Sequence, residues 1–144
     1  MKLLFDTSVF VSALITSHPR HEIAYPWLER AKVRDFELVA SSHSLAELYS
    51  ILSTYPSRPR FSPAECRSAI RENVETVATI VPLSASDYAV VLDEAASRGF
   101  SGGIVFDALI VRAARKAQVD RILTLNVNHF RRVWPEGADR IGAP

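Results

Sequence analysis

Short apolar runs alternate with helical segments along this chain, and the alternation limits the fold more than any other feature. Such runs bounded by turn residues are typical of buried β-strands. Strands that alternate with helices form a parallel sheet covered on both faces. We therefore predict an α/β fold, a three-layer α/β/α sandwich with a mostly parallel central sheet. The predicted strands are Lys2 to Phe5, Glu37 to Ser41, "ATIVPL" at 78–83, and Arg121 to Leu125.

Helical segments are predicted between the strands. The clearest start is at Ser62, where Pro63 and Glu65 complete a capping box with proline at the first helical position. Pro26 is expected to interrupt or begin the second helix. The other predicted helices cover 7–15, 22–36, 44–52, 84–99 and 104–114.

Size and composition indicate one globular domain, residues 1–144. The chain is 48% hydrophobic and 23% charged, and no stretch approaches the roughly 18 consecutive apolar residues of a membrane span. The single cysteine, Cys66, is expected on an exposed helix. One thiol excludes an internal disulfide framework and suits the cytoplasm.

Basic residues are concentrated in the last third of the chain. Between Arg98 and Arg140 there are eight basic and four acidic residues. Such a bias can attract a polyanion, although a solvated basic face is the commoner explanation. Charge alone therefore does not decide whether the partner is a nucleic acid.

Asp107 is the only carboxylate in the apolar stretch "IVFDALIVRAA" at 104–114. Arg112, the other charged residue of this stretch, lies about 140° away around the helix. A buried carboxylate without a partner costs several kcal/mol or gives up its charge. We therefore expect Asp107 to meet a donor, a cation or a metal outside its own helix.

Polar residues on other segments are predicted to meet Asp107. Asp6 ends the first strand, Glu47 lies in the first turns after the second, and Asn126 follows the last. Ligands bind at the carboxyl ends of parallel strands. Asp107 reaches the same edge if its helix precedes the last strand in a right-handed crossover. One shared cation would then explain all of these positions.

Each position also has a local explanation. Asp6 could cap the first helix, and Glu47 could form a capping box with Ser44. Asn126 could end a strand, and Asp107 could complement its helix dipole. These explanations require four independent coincidences at one edge, whereas a cation site requires one cause.

Carboxylates and an amide favour a hard cation, Mg²⁺ or Mn²⁺, over zinc. The histidines show no helical zinc-binding pair at i, i+4 and are expected at the surface or as caps. They are His18, His21, His43 and His129.

Segments of the sequence resemble the PIN-domain ribonucleases, particularly the VapC toxins of toxin–antitoxin pairs. The resemblance covers nearly the whole chain in the right order, and the combination is more specific than any one motif. The family fold, a parallel sheet between helices, agrees with the prediction above. The segments are "LLFDTSVFVSAL", "SSHSLAELYSIL", "GGIVFDALIVRAA" and "ILTLNVNHF".

The resemblance assigns roles to the polar residues. Asp6, Glu47 and Asp107 match acidic metal-binding positions, and Asn126 falls where a fourth acid or an asparagine is found. Asparagine leaves the site with three formal negative charges. Hydroxyls expected to support the acidic cluster are Thr7, Ser8 and Thr124.

The activity implied is Mg²⁺- or Mn²⁺-dependent hydrolysis of RNA phosphodiester bonds. Asp6 and Asp107 would be direct metal ligands, Glu47 a ligand or a residue that orients the water, and Asn126 a contact to water or phosphate. Candidate phosphate contacts are Arg98, Arg112, Arg115 and Lys116.

The resemblance also implies partners: a homodimer, held inactive by a VapB-like antitoxin. The alternative is a catalytically weak PIN-like module that binds RNA or an antitoxin. Three mutually repelling carboxylates favour the enzyme, since a binding module has no use for them. A phosphohydrolase domain is disfavoured because Ser8 stands where a second acid is usual. A receiver domain is disfavoured because none of the three lysines, Lys2, Lys32 and Lys116, has a convincing position for the receiver lysine.

Overall fold

A central parallel sheet organises the structure, which is a computed structural model describing residues 1–144. Every pair of neighbouring strands is parallel, in the order β3-β2-β1-β4-β5. This confirms the predicted sheet and places β1 at its centre. The strands are β1 (Lys2–Phe5), β2 (Glu37–Ser41), β3 (Thr79–Val81), β4 (Arg121–Leu123) and β5 (Ile141–Gly142).

Seven α-helices connect and cover the strands. They are α1 (Thr7–Leu14), α2 (His21–Lys32), α3 (Ser42–Thr54), α4 (Pro63–Ile70), α5 (Ala85–Ser97), α6 (Ile104–Lys116) and α7 (Val127–Val133). A π-helical turn, Arg71–Glu75, follows α4, and a 3₁₀ segment, Pro135–Arg140, leads into β5. None of the helices has the length and apolar character that crossing a membrane requires.

The core consists of two clusters, one on each face of the sheet. Along β1, Leu3 and Phe5 belong to the cluster that also contains α1 to α4, whereas Leu4 belongs to the cluster formed with α6 and α7. Alternate residues of a strand point to opposite faces, so β1 is covered on both sides. The two clusters confirm the predicted three-layer arrangement.

Helix α2 runs through Pro26, contrary to the prediction that proline would interrupt or begin it. Pro26 and Glu22, four residues earlier, are both exposed. Proline has no N–H to donate to the Glu22 carbonyl. Because both residues are exposed, this carbonyl lies on the side of the helix that faces water.

Cys66 is buried, so the prediction of an exposed cysteine is wrong. Cys66, Ile70 and Val74 are spaced four residues apart and pack together into the first core cluster. This spacing places them on one helical face, which buries the thiol. Burial raises the pKa of the Cys66 thiol.

The start of α4 is as predicted. The Ser62 hydroxyl accepts a hydrogen bond from the Glu65 N–H at 3.1 Å, and the Glu65 carboxylate accepts one from the Ser62 N–H at 3.0 Å. This reciprocal capping box satisfies two backbone donors that the first turn leaves free.

Candidate metal centre

Asp6 lies at the carboxyl end of β1, in the middle of the sheet, and its residue is only 3% exposed. Its Oδ2 accepts hydrogen bonds from the Ser8 hydroxyl at 2.7 Å and the Thr124 hydroxyl at 2.8 Å. Asp6 occupies the N-cap position of α1, but its side chain makes no capping hydrogen bond. The carboxylate is therefore held by two hydroxyls and does not cap the helix.

The two hydroxyls are themselves fixed by the backbone that follows β4. Ser8 Oγ accepts from the Leu125 N–H at 3.0 Å, and Thr124 Oγ1 accepts from the Asn126 N–H at 2.9 Å. Each hydroxyl thus accepts from an amide and donates to Asp6. This arrangement favours the ionised form of the Asp6 carboxyl.

Thr7, the third predicted hydroxyl, has a different partner. Its Oγ1 donates to Ser44 Oγ at 3.1 Å, and both residues are buried. The hydrogen bond joins the start of α1 to α3. Thr7 therefore supports the position of the helix that carries Glu47.

Glu47 lies in the second turn of α3. The N-cap of α3 is Ser41, whose hydroxyl accepts from the His43 N–H at 3.2 Å, so Ser44 does not form the capping box considered above. The Glu47 carboxylate is left free for another use. Its basic neighbour is His43, whose Nε2 lies 3.3 Å from Oε2.

Asp107 lies in the first turn of α6, with 19% of its side chain exposed. Its carboxylate accepts no hydrogen bond from the chain, and Nδ1 of the exposed His129 lies 3.8 Å from its Oδ2. The prediction that no ion pair within the helix satisfies Asp107 agrees with this geometry, because Arg112 pairs with Asp87.

Burial and neighbouring acidic side chains raise the pKa values of Asp107 and Asp6. Burial, followed by the charges of Asp6 and Glu47, raises the pKa of Asp107 to about 6, against the lowering effect of His129. Burial is also the main reason that the pKa of Asp6 is raised, and Glu47 adds to it. We call Asp6, Glu47 and Asp107 the acidic cluster, because the charges of Asp6 and Glu47 both act on Asp107.

The acidic cluster fits a hard divalent cation by its chemistry. Its donors are carboxylate oxygens, and a bound cation would relieve the repulsion between their negative charges. No three His, Cys, Asp or Glu side chains are grouped closely enough to form a ready set of ligands in this arrangement. Sharing one ion would therefore require the three carboxylates to move closer together.

Asn126 follows β4, as predicted, at the N-cap of α7. Its side-chain amide makes no hydrogen bond within the chain and lines an open hollow of about 430 Å³ together with Asp107. The other side chains that line the hollow include His129 and Arg132. Both lie on α7, which the sequence analysis did not predict.

The four basic residues predicted to contact phosphate lie elsewhere. Asp87 is buried, and its carboxylate forms ion pairs with two of them. Arg112 Nε lies 3.0 Å from this carboxylate, and Lys116 Nζ lies 2.6 Å from it. The Arg98 guanidinium donates to the backbone carbonyls of Arg132 and Val133. A separate cavity of about 350 Å³ is lined by Arg98, Arg112 and Arg115.

Sequence reasoning missed three residues beside the acidic cluster: His43, His129 and Arg132. His43 stands four residues before Glu47, and this i, i+4 spacing was a usable signal. His129 and Arg132 follow Asn126 at a helical spacing, but nothing in so short a segment marked it as a helix. Arg132 is the arginine that lines the hollow with Asp107.

Residues 3–134 match the family model of the PIN domain. The chain belongs to the PIN-domain family. It is 32% identical over 112 residues to ribonuclease VapC40 of Mycobacterium tuberculosis, and the aligned region covers 78% of each chain. Among solved structures it is similar to VapBC2 from Rickettsia felis, bound to a promoter DNA fragment, with a TM-score of 0.69, 22% identity and coverage of 100% and 99%. VapC20 of M. tuberculosis, a sarcin–ricin loop cleaving toxin, gives a TM-score of 0.66 at 17% identity, covering 83% of this chain and 86% of VapC20.

Proposed function

We propose that this PIN-domain protein is a metal-dependent endoribonuclease and the toxin of a toxin–antitoxin pair. The observation that carries the proposal is the acidic cluster, because it gathers three carboxylates from separate segments at the carboxyl edge of the sheet. The likeness to ribonuclease VapC40 supports RNA as the substrate.

The acidic cluster is proposed to hold Mg²⁺ or Mn²⁺. When bound, the cation would neutralise the scissile phosphate and make water a stronger nucleophile at neutral pH. Asp6 and Asp107 are the proposed ligands, and Glu47 either binds the cation or orients the attacking water. Hydrogen bonds from Ser8 and Thr124 favour the ionised form of Asp6 and oppose the effect of its burial.

Asn126 and Arg132 are the proposed contacts to the RNA phosphate. Both line the hollow beside Asp107, and the Asn126 amide has no partner within the chain. Arg132 takes the role that the sequence analysis gave to Arg98, Arg112, Arg115 and Lys116. A guanidinium binds phosphate oxygens through paired N–H groups, which suits it to this role.

The proposed partner is a VapB-like antitoxin, and the proposed assembly is a homodimer in the cytoplasm. Structural likeness to VapBC2 supports the antitoxin. The single cysteine suits a reducing compartment. Light scattering of the purified chain, alone and with an antitoxin, measures both stoichiometries.

The deciding experiment incubates the protein, freed of antitoxin, with total cellular RNA in Mg²⁺, Mn²⁺ or EDTA. The variant Asp107→Asn tests the acidic cluster, and Asp93→Asn, an exposed carboxylate on α5, is the matched control. We expect discrete RNA fragments with either cation from wild type and Asp93→Asn. EDTA or Asp107→Asn should abolish them.

If neither the wild type nor Asp107→Asn gave RNA fragments in either cation, the nuclease would be overturned. The chain would then be a PIN-like module that binds RNA or an antitoxin without cutting. Circular dichroism of Asp107→Asn must match that of the wild type, so that a lost fold is not mistaken for a lost ligand.

A further inference from the structure

Phe106 is an exposed aromatic residue directly before Asp107. The side chain lies on the first turn of α6, and the residue is 47% exposed. It is the only large apolar residue of α6 that is exposed, whereas Leu109, Ile110 and Val111 are buried. Single exposed apolar side chains are common on protein surfaces, so what distinguishes Phe106 is its place beside Asp107.

One face of the Phe106 ring packs against the imidazole of His43. The ring centroids are 5.2 Å apart, and the planes differ by 10°, which is an offset stack. His43 is only 17% exposed at its side chain, so the phenyl ring is held by a nearly buried partner. With one face covered by His43, the exposed part of Phe106 lies on the rest of the ring, away from His43.

The stack joins the two helices that carry Glu47 and Asp107. His43 lies one turn before Glu47 on α3, and its Nε2 is 3.3 Å from the Glu47 carboxylate. Phe106 is the immediate neighbour of Asp107, with consecutive Cα atoms about 3.8 Å apart. A flat aromatic surface is thus built into the rim of the acidic cluster.

We propose that the outer face of Phe106 is a binding site for an unpaired nucleobase of the RNA substrate. The inference rests on the proposed function, since the acidic cluster then binds a phosphate within one nucleotide of the ring. Bases of single-stranded RNA stack on exposed aromatic rings with little regard to sequence. A single exposed ring on α6 suits a base better than a protein interface, which buries a larger patch.

The test is a double-mutant cycle between the ring and the base. Its probes are a fluorescein-labelled ten-nucleotide oligoadenylate and the same ribose–phosphate chain without bases. Binding is measured by anisotropy with Ca²⁺ as the divalent ion, and a gel checks that the oligomers remain intact. The proteins are wild type, Phe106→Ala, Phe106→Leu and Phe106→Tyr, with Tyr88→Ala as control. Tyr88 is an exposed aromatic on α5 next to Asp87, which pairs with the far end of α6.

We expect wild type to prefer the oligoadenylate, and Phe106→Ala to reduce that preference by roughly 5- to 150-fold. This range corresponds to the ~1–3 kcal/mol of base–aromatic stacking at 1.4 kcal/mol per tenfold. Binding of the abasic chain should not change. Phe106→Tyr and Tyr88→Ala should keep the preference, and Phe106→Leu, which folds with an apolar side chain of similar size, should lose it.

Three results would overturn the proposal: no preference in the wild type, an unchanged preference in Phe106→Ala, or equal weakening of both oligomers. Weaker antitoxin binding by Phe106→Ala with unchanged RNA binding would identify the ring as a protein contact and also overturn it. Because binding is measured without cleavage, these failures are distinct from failure of the nuclease, which the RNA-fragment experiment reports.

Discussion

The surroundings of Asp107 disfavour the charged form of its carboxyl group. Burial and the neighbouring acids raise the pKa of Asp107 to about 6. A carboxyl with a raised folded-state pKa contributes stability that is present below its unfolded pKa of about 3.9 and is lost as pH rises through the folded value. Without divalent cations, Asp107→Asn should therefore stabilise the protein by roughly 1–2 kcal/mol at pH 7.5, after allowance for solvent screening.

Urea unfolding in EDTA between pH 4 and 8 measures this effect. The stabilisation by Asp107→Asn should vanish near pH 4, where wild-type Asp107 is protonated. Asp93→Asn is the control, with little change at either pH. A destabilised Asp107→Asn at pH 7.5 would show that the carboxylate is satisfied within the fold.

Thr124 determines how firmly Asp6 is held. Its hydroxyl is fully buried, donates to Asp6 at 2.8 Å and accepts from the Asn126 N–H at 2.9 Å. Thr124→Val keeps the shape and removes both hydrogen bonds. We expect a loss of about 1.5–3 kcal/mol in the free energy of unfolding at pH 7, because the lost bond ends on a charged group. Weaker Mn²⁺ binding by calorimetry should accompany it.

Thr124→Ser is the matched control, since it retains the hydroxyl and should retain most of both quantities. If Thr124→Val bound Mn²⁺ as wild type does, the hydroxyl would have a role in packing alone.

At the scale of elements, Asp87 links α5 to α6 through ion pairs. It closes a capping box with Ser84 at the start of α5 and accepts from Arg112 and Lys116 on α6. Hydrogen bonds from Lys116 and the Ser84 backbone hold the pKa of Asp87 well below its usual range. A depressed pKa gives stability that is present above the unfolded pKa and is lost as pH falls below about 4.

Asp87→Asn should therefore destabilise the protein at pH 7, and the difference from wild type should shrink as the pH is lowered from 4 to 2.5. Chemical denaturation across that pH range tests the expectation. The reference variant is Asp93→Asn, which removes an exposed carboxylate from the same helix. A constant difference at all pH values would mean that the charge of Asp87 is not the cause.

The elements that sequence could predict are those with long or repeated signals. The apolar runs of β1 and β2 and the capping box at Ser62 predicted their positions well. Helix α7 and β5 were missed because they comprise seven and two residues, too few for a period to show. The acidic cluster could be proposed because each member ends a recognisable strand or lies in the first turns of a recognisable helix. The partners of Arg112 and Lys116 could not, because Asp87 meets them only through tertiary packing.

At the scale of the whole molecule, a cation that binds the acidic cluster should stabilise the fold. Binding to the native state alone adds about 2.7 kcal/mol when the cation is at 100 times its Kd. We expect Mn²⁺ to raise the Tm of the wild type in a thermal-shift titration and to leave Asp6→Asn and Asp107→Asn nearly unchanged. Asp93→Asn should respond as the wild type does, and equal shifts in all four proteins would place the ion elsewhere.

The central strand β1 is completed by segments that are synthesised long after it. Asp6 leaves the ribosome early, but its partner Thr124 comes more than a hundred residues later, and the Thr124 N–H pairs with the Gly142 carbonyl at 3.0 Å. A domain folds as a unit once its long-range contacts are available. The proposed nuclease site is therefore assembled only after residues 121–142 have been translated, and a fragment released before that point lacks it.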